Sequence, residues 1–135
     1  MPMGPAPLGL VYFAGVKLAG YSAAGYELNR RMGLPQPRPI VFGLARTALG
    51  LAVGVSFALL ALRFGLGKSE PLFYVALLPV RVAEWLLSLW YFYQRANLSR
   101  RRQLGFAAAG TAWSYLLDLP AVFAVFAIPG GAWVC

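Results

Sequence analysis

The chain has no histidine and only one cysteine, Cys135. A single thiol excludes an intrachain disulfide framework. Without histidine there is no histidine-ligated haem and no Ser-His-Asp relay, and a lone thiol leaves no zinc site. The expectation is therefore no metal and no cofactor. Charge is scarce as well. Asp, Glu, Lys and Arg make up 12 % of the 135 residues, about half the usual share for a soluble domain. That excludes an ordinary cytoplasmic globule, a disordered tail and a solenoid.

What the chain does have is apolar length. Hydrophobic residues make up 60 % of it, and the mean hydropathy is +0.66. A bilayer-spanning helix needs roughly 20 predominantly apolar residues. Four windows qualify, over about 8–28, 40–62, 72–93 and 104–128. They are joined by the short polar stretches NRRMGLPQPRP, RFGLGKSEP and QRANLSRRRQ. Proline and glycine in these stretches stop one helix and start the next, and Pro39 and Pro71 sit where a first-turn proline is tolerated. The pattern predicts an all-α, polytopic integral membrane protein: one compact four-helix bundle over residues 1–135. The first window does not read as a signal peptide, because MPMGPAPLG carries no charged side chain and Lys17 lies mid-window.

The basic residues set an expected orientation. Arg30, Arg31 and Arg38 lie in the first connection and Arg95, Arg100, Arg101 and Arg102 in the third. The second holds Arg63 and Lys68, offset by Glu70, and the tails hold no charge. Under the positive-inside rule both termini face out, and the first and third connections face the cytoplasm. The seven arginines of those two connections are expected to neighbour anionic lipid headgroups. They lie in short connections, not on a soluble basic face, so no nucleic-acid partner is expected. Tyr26 and the run Trp90 to Tyr93 fall at the inner boundary, and Phe73, Tyr74 and Trp133 near the outer one, a depth that suits amphipathic rings. Arginine outnumbers lysine ten to two, and alanine and glycine are abundant. That composition points to a GC-rich bacterial source and hence a plasma (inner) membrane.

A shift of 64 residues lays 12–62 over 76–126. Lys17 then meets Arg81, Tyr21 meets Trp85, Tyr26 meets Trp90, Arg31 meets Arg95 and Arg38 meets Arg102. Roughly nine identities fall in about fifty pairs, as parallel-repeat membrane folds leave. A duplication of this kind implies a pseudo-twofold axis along the membrane normal. Apolar helices also match one another cheaply, so chance stays open beside it.

The informative residues are the charges inside the spans: Lys17, Arg46, Arg81, Glu84 and Asp118. Each costs about 2.5–3.5 kcal/mol at the bilayer centre, so the five should face inward, towards a cavity or another subunit. At about 1.5 Å per residue, Lys17, Arg81 and Asp118 fall near mid-bilayer, while Arg46 and Glu84 form a deeper, inner tier. Three positive charges against two negative leave a surplus of one. Helical spacing puts Arg81, Glu84, Ser88 and Tyr91 on one face, and Thr111, Ser114, Tyr115 and Asp118 on another. Lys17 shares its face with Phe13, Gly20, Tyr21 and Ala24, and Gly43, Arg46, Thr47, Gly50 and Gly54 share theirs. Gly50 and Gly54 match GxxxG. Pro79 and Pro120 each free a carbonyl one turn upstream, beside Arg81 and Asp118.

The plainest account of the five charges is internal salt bridging that fixes helix register, with Arg81–Glu84 pairing inside one helix and Arg46 snorkelling to the headgroups. For the aromatic rings, Trp85 included, it is bulk. For Thr111 and Ser114 it is bonding to their own i−4 carbonyls. The functional reading makes Lys17, Arg46, Arg81, Glu84, Asp118, Tyr21, Ser88, Thr111, Ser114 and Tyr115 a binding site. The leading expectation is a transporter or channel for a small anionic solute or a lipid, in a homo-oligomer or a larger membrane complex. One alternative is an intramembrane enzyme on a lipid or isoprenoid, with Glu84 or Asp118 as acid or base. The other is a non-catalytic accessory subunit.

Overall fold

In a computed structural model, residues 7–33, 38–65 and 70–127 are described. They form α1 (Pro7–Met32), α2 (Pro39–Arg63), α3 (Glu70–Tyr93), a single 3-10 turn (Gln94–Ala96) and α4 (Arg100–Ala127). Among the described residues there is no strand, so the fold is an all-α four-helix bundle. Lys68, Trp133 and Cys135, and the side chain of Arg95, lie outside what is described.

Local chemistry sets the helix ends. Pro39 opens α2 from an extended Arg38, where its missing N–H loses nothing. Gly33 and Gly65 take φ of +63° and +71° just past α1 and α2, the left-handed turn that ends many helices. Asn97 makes the same turn at +44° before α4. α1 and α4 each run four residues beyond their sequence windows, α1 at its end and α4 at its start. At the end of α1, Arg31 Nε donates to Glu27 Oε1 at 2.7 Å, four residues back, which carries the helix through the polar segment. α4 starts at Arg100, with Gln103 N–H bonded to the Ser99 carbonyl at 3.0 Å. Arg100, Arg101 and Arg102 are therefore helical and not loop residues. Pro79 and Pro120 lie inside α3 and α4, and neither ends its helix.

α1 packs most extensively on α2, and α3 on α4, so each hairpin is one unit. α1 also meets α4, and α2 meets α3. The α1–α2 contact is close because of Gly43. A Cβ there would meet the Ser22 hydroxyl, with the Ser22 backbone N at 2.9 Å and the Leu18 carbonyl at 3.1 Å. At the end of the bundle where α1 and α3 finish, an aromatic core surrounds Phe42. Its ring centroid lies 6.0 Å from Trp85, 5.4 Å from Phe92 and 5.9 Å from Tyr93. Tyr93, expected at the boundary, is buried instead. Its hydroxyl donates to Asn29 Oδ1 at 2.8 Å.

On all four helices large apolar side chains lie on the surface, while four charged ones are buried. Val11, Leu62, Val75 and Phe123, one on each helix, are each 67 % exposed or more. Lys17, Arg46, Arg81 and Asp118 are 3 % exposed or less. Two helices, α2 and α3 over Pro71–Tyr93, are long and apolar enough to cross a membrane.

Candidate functional site

The site is built on three helices. Lys17 of α1 and Arg81 of α3 reach the same carboxylate, Asp118 of α4. Lys17 Nζ lies 2.5 Å from Asp118 Oδ1, and Arg81 Nη2 donates to Oδ2 at 2.5 Å. One carboxylate between two cations gives the triad a net charge of +1. Aromatic faces complete its walls. The ammonium of Lys17 lies 5.2 Å from the Phe13 ring centroid and 5.6 Å from that of Tyr21. The Arg81 guanidinium lies 4.4 Å from the Tyr115 ring. Quadrupoles of this kind favour a desolvated cation. Tyr115 is fixed by donating its hydroxyl to the Tyr74 carbonyl at 2.9 Å.

One helical turn before Asp118 on α4, Ser114 forms a second convergence. The Tyr21 hydroxyl donates to Ser114 Oγ at 3.1 Å and Trp85 Nε1 donates to it at 2.9 Å. Ser114 Oγ donates in turn to its own i−4 carbonyl, Gly110, at 3.0 Å. Lys17 Nζ also reaches the Ser114 carbonyl at 3.3 Å. Residues 64 positions apart, Lys17 with Arg81 and Tyr21 with Trp85, thus end on the same α4 partners. At the corresponding positions α2 has Gly54 and Gly50 where α4 has Asp118 and Ser114.

A separate ion pair, Arg46 Nη2 to Glu84 Oε2 at 2.7 Å, joins α2 to α3. This replaces two sequence expectations. Glu84 pairs across helices and not with Arg81 in its own, and Arg46 does not snorkel, since it is 1 % exposed. The reason is stacking: the guanidinium lies 5.1 Å from both the Tyr21 and the Trp85 rings, which hold it inside the bundle. Ser88 is buried and donates to the Glu84 carbonyl at 2.8 Å. Tyr91, expected on that face, is exposed. Thr47 donates to the Gly43 carbonyl at 2.8 Å.

Trp85 is the residue the sequence reading undervalued. It is buried, donates to Ser114, supports Arg46, and packs edge-on to Tyr21 with centroids 6.0 Å apart. A signal was present: Trp85 lies one turn after Arg81, as Tyr21 lies one turn after Lys17.

Not every donor is spent. Among the described residues, Nε and Nη1 of Arg46, Nε and Nη1 of Arg81, and Thr111 Oγ1 are buried with no hydrogen-bond partner. Leaving such a group unmet costs about 1–3 kcal/mol. A cavity of about 10 Å³ lies beside Lys17, bounded by Phe13, Tyr21, Thr47, Gly50 and Leu51. That volume holds about one water. The lining of that cavity includes Lys17 and neither arginine. Among the described residues no cluster of His, Cys, Asp and Glu has the makings of a metal site. No family model, no curated protein and no solved structure matches the chain.

Proposed function

We propose that the chain is a four-span membrane protein that moves a small anionic solute, with the Lys17–Asp118–Arg81 triad as its binding site. One observation carries the reading: four guanidinium nitrogens of Arg46 and Arg81 are buried without an acceptor, in a cluster with surplus positive charge. Buried cationic donors in a membrane mark ion and substrate sites. Exposure supports spans for α1 and α4 as well. Both turn large apolar side chains outward (Val11 and Tyr12, Leu116 and Phe123) while Lys17 and Asp118 turn inward. The arginine-rich ends, at Arg30, Arg31 and Arg38 and at Arg95 and Arg100 to Arg102, then lie in the cytoplasm of a bacterial cell, with both termini outside its plasma membrane.

Asp118 acts as the internal anion of the resting site. An incoming solute takes over one of its two cations while the other stays on the carboxylate, so no charge is left bare at any stage. Pro79 and Pro120 remove a backbone hydrogen bond close to Arg81 and Asp118, which makes these the compliant segments of α3 and α4. Chloride and phosphate flux from liposomes tests the proposal. Lys17→Met, Arg81→Met and Asp118→Asn are each expected to abolish flux, and full flux in all three removes the reading.

A further inference from the structure

A cleft opens between the inner halves of α1 and α4. These helices touch where Gly20 meets Leu117 and where Trp113 Nε1 donates to the Gly20 carbonyl at 3.0 Å. Towards the inner ends the facing residues are Ala23, Ala24, Gly105 and Ala109, too short to meet across the gap. The deeper part of the cleft measures about 350 Å³ and is walled by Ala24, Leu28, Phe106, Ala109 and Trp113, with Trp85 and Gly110 at its floor. The outer part measures about 540 Å³ and is bordered by Arg31 and Arg102. Arg31, Phe106 and Ala109 line both parts, so the two adjoin.

The chemistry is graded along this cleft. Its deep part is mostly apolar, with Glu27 and Arg31 also in its lining, and its mouth carries two exposed arginines, Arg31 and Arg102. From Arg102 to Trp113 the α4 backbone rises about 16 Å. That is close to one leaflet, half of a hydrocarbon core about 30 Å thick. A slot one leaflet deep, apolar inside and cationic at the headgroup level, matches an anionic phospholipid in both length and charge.

We infer that this cleft holds one acyl chain of an anionic phospholipid, with its phosphate between Arg31 and Arg102. Guanidinium groups pair with phosphate oxygens through two parallel N–H bonds, and Arg is the side chain suited to that geometry. Arg31 already donates to Glu27, so Glu27 sets how much of its charge the lipid receives. The inference rests on the membrane placement proposed above, but not on the triad or on transport.

Native mass spectrometry of the full chain tests it, from micelles with equimolar phosphatidylglycerol and phosphatidylcholine of identical chains. The wild type is expected to retain one phosphatidylglycerol with a preference of about tenfold, the scale of one charge-assisted bond. Arg31→Gln with Arg102→Gln should bring the preference close to one while lipid is still retained. Glu27→Gln should raise the preference. Ala109→Trp fills the slot and leaves both arginines in place, and should remove both lipids. Circular dichroism and size exclusion of each variant separate lost lipid from lost fold. A folded Ala109→Trp variant that keeps the wild-type preference overturns the inference, because the arginines then act only as surface charge. So does a wild type with no preference. Flux does not enter this measurement, so a chain that retains phosphatidylglycerol yet moves no anion defeats the transport reading alone.

Discussion

Asp118→Asn and Lys17→Met touch the same contact but should differ sharply in stability. Asparagine has nearly the shape of aspartate, so the first change removes a charge and little else. It leaves Lys17 and Arg81 facing each other across a neutral amide, both buried. At 2.5 Å each lost contact corresponds to about 7 kcal/mol of attraction at an effective dielectric constant near 20. Desolvation already offsets most of that in the folded state, and breaking a buried pair in this way typically costs about 3–5 kcal/mol. Methionine has nearly the length of lysine and no charge. Lys17→Met leaves a neutral Arg81–Asp118 pair and loses the contacts to Phe13, Tyr21 and the Ser114 carbonyl. It should shift stability by no more than about 1 kcal/mol, because it leaves no uncompensated buried charge, the condition that makes breaking a buried pair costly. The double variant leaves one uncompensated cation in place of two and should fall between the singles. Titration with SDS in mixed micelles, followed by circular dichroism, gives the three free energies. A Lys17→Met loss as large as that of Asp118→Asn refutes the reasoning, since net charge would then not govern the triad.

Ser114→Ala strands two buried donors, Tyr21 and Trp85, and should cost about 2–4 kcal/mol in the same titration. Thr111→Val removes a hydroxyl that has no partner among the described residues, so it should be neutral or stabilising. Gly43→Ala places a methyl against the backbone of α1, and should destabilise by about 1–3 kcal/mol by forcing the first hairpin apart.

Level along the bundle was legible in the sequence. Counting residues from the span ends at 1.5 Å each put Lys17, Arg81 and Asp118 at one level, and Arg46 with Glu84 at another. The ion pairs join residues within each level. Azimuth was only partly legible. Spacing by three and four grouped Thr111, Ser114, Tyr115 and Asp118 on one face, and all four are buried or half-buried. The same rule put Tyr91 with Arg81, but the face widens over several turns and Tyr91 points outward. Partner choice was not legible at all. Glu84 was as close to Arg81 along its helix as to any cation elsewhere, and only stacking on Tyr21 and Trp85 brought Arg46 to it.

Composition and periodicity by themselves determined the all-α class, the number of helices and the presence of charges that cannot face an apolar surroundings unpaired. Those properties depend on each residue and its neighbours along one helix. The tertiary structure decided that Asp118 serves two cations, that Ser114 collects two ring donors, that Gly43 sets the α1–α2 distance, and that a cleft lies between α1 and α4. Each of these depends on how helices rotate and lean against one another, which the fit of large side chains into small ones fixes only when all four are packed together.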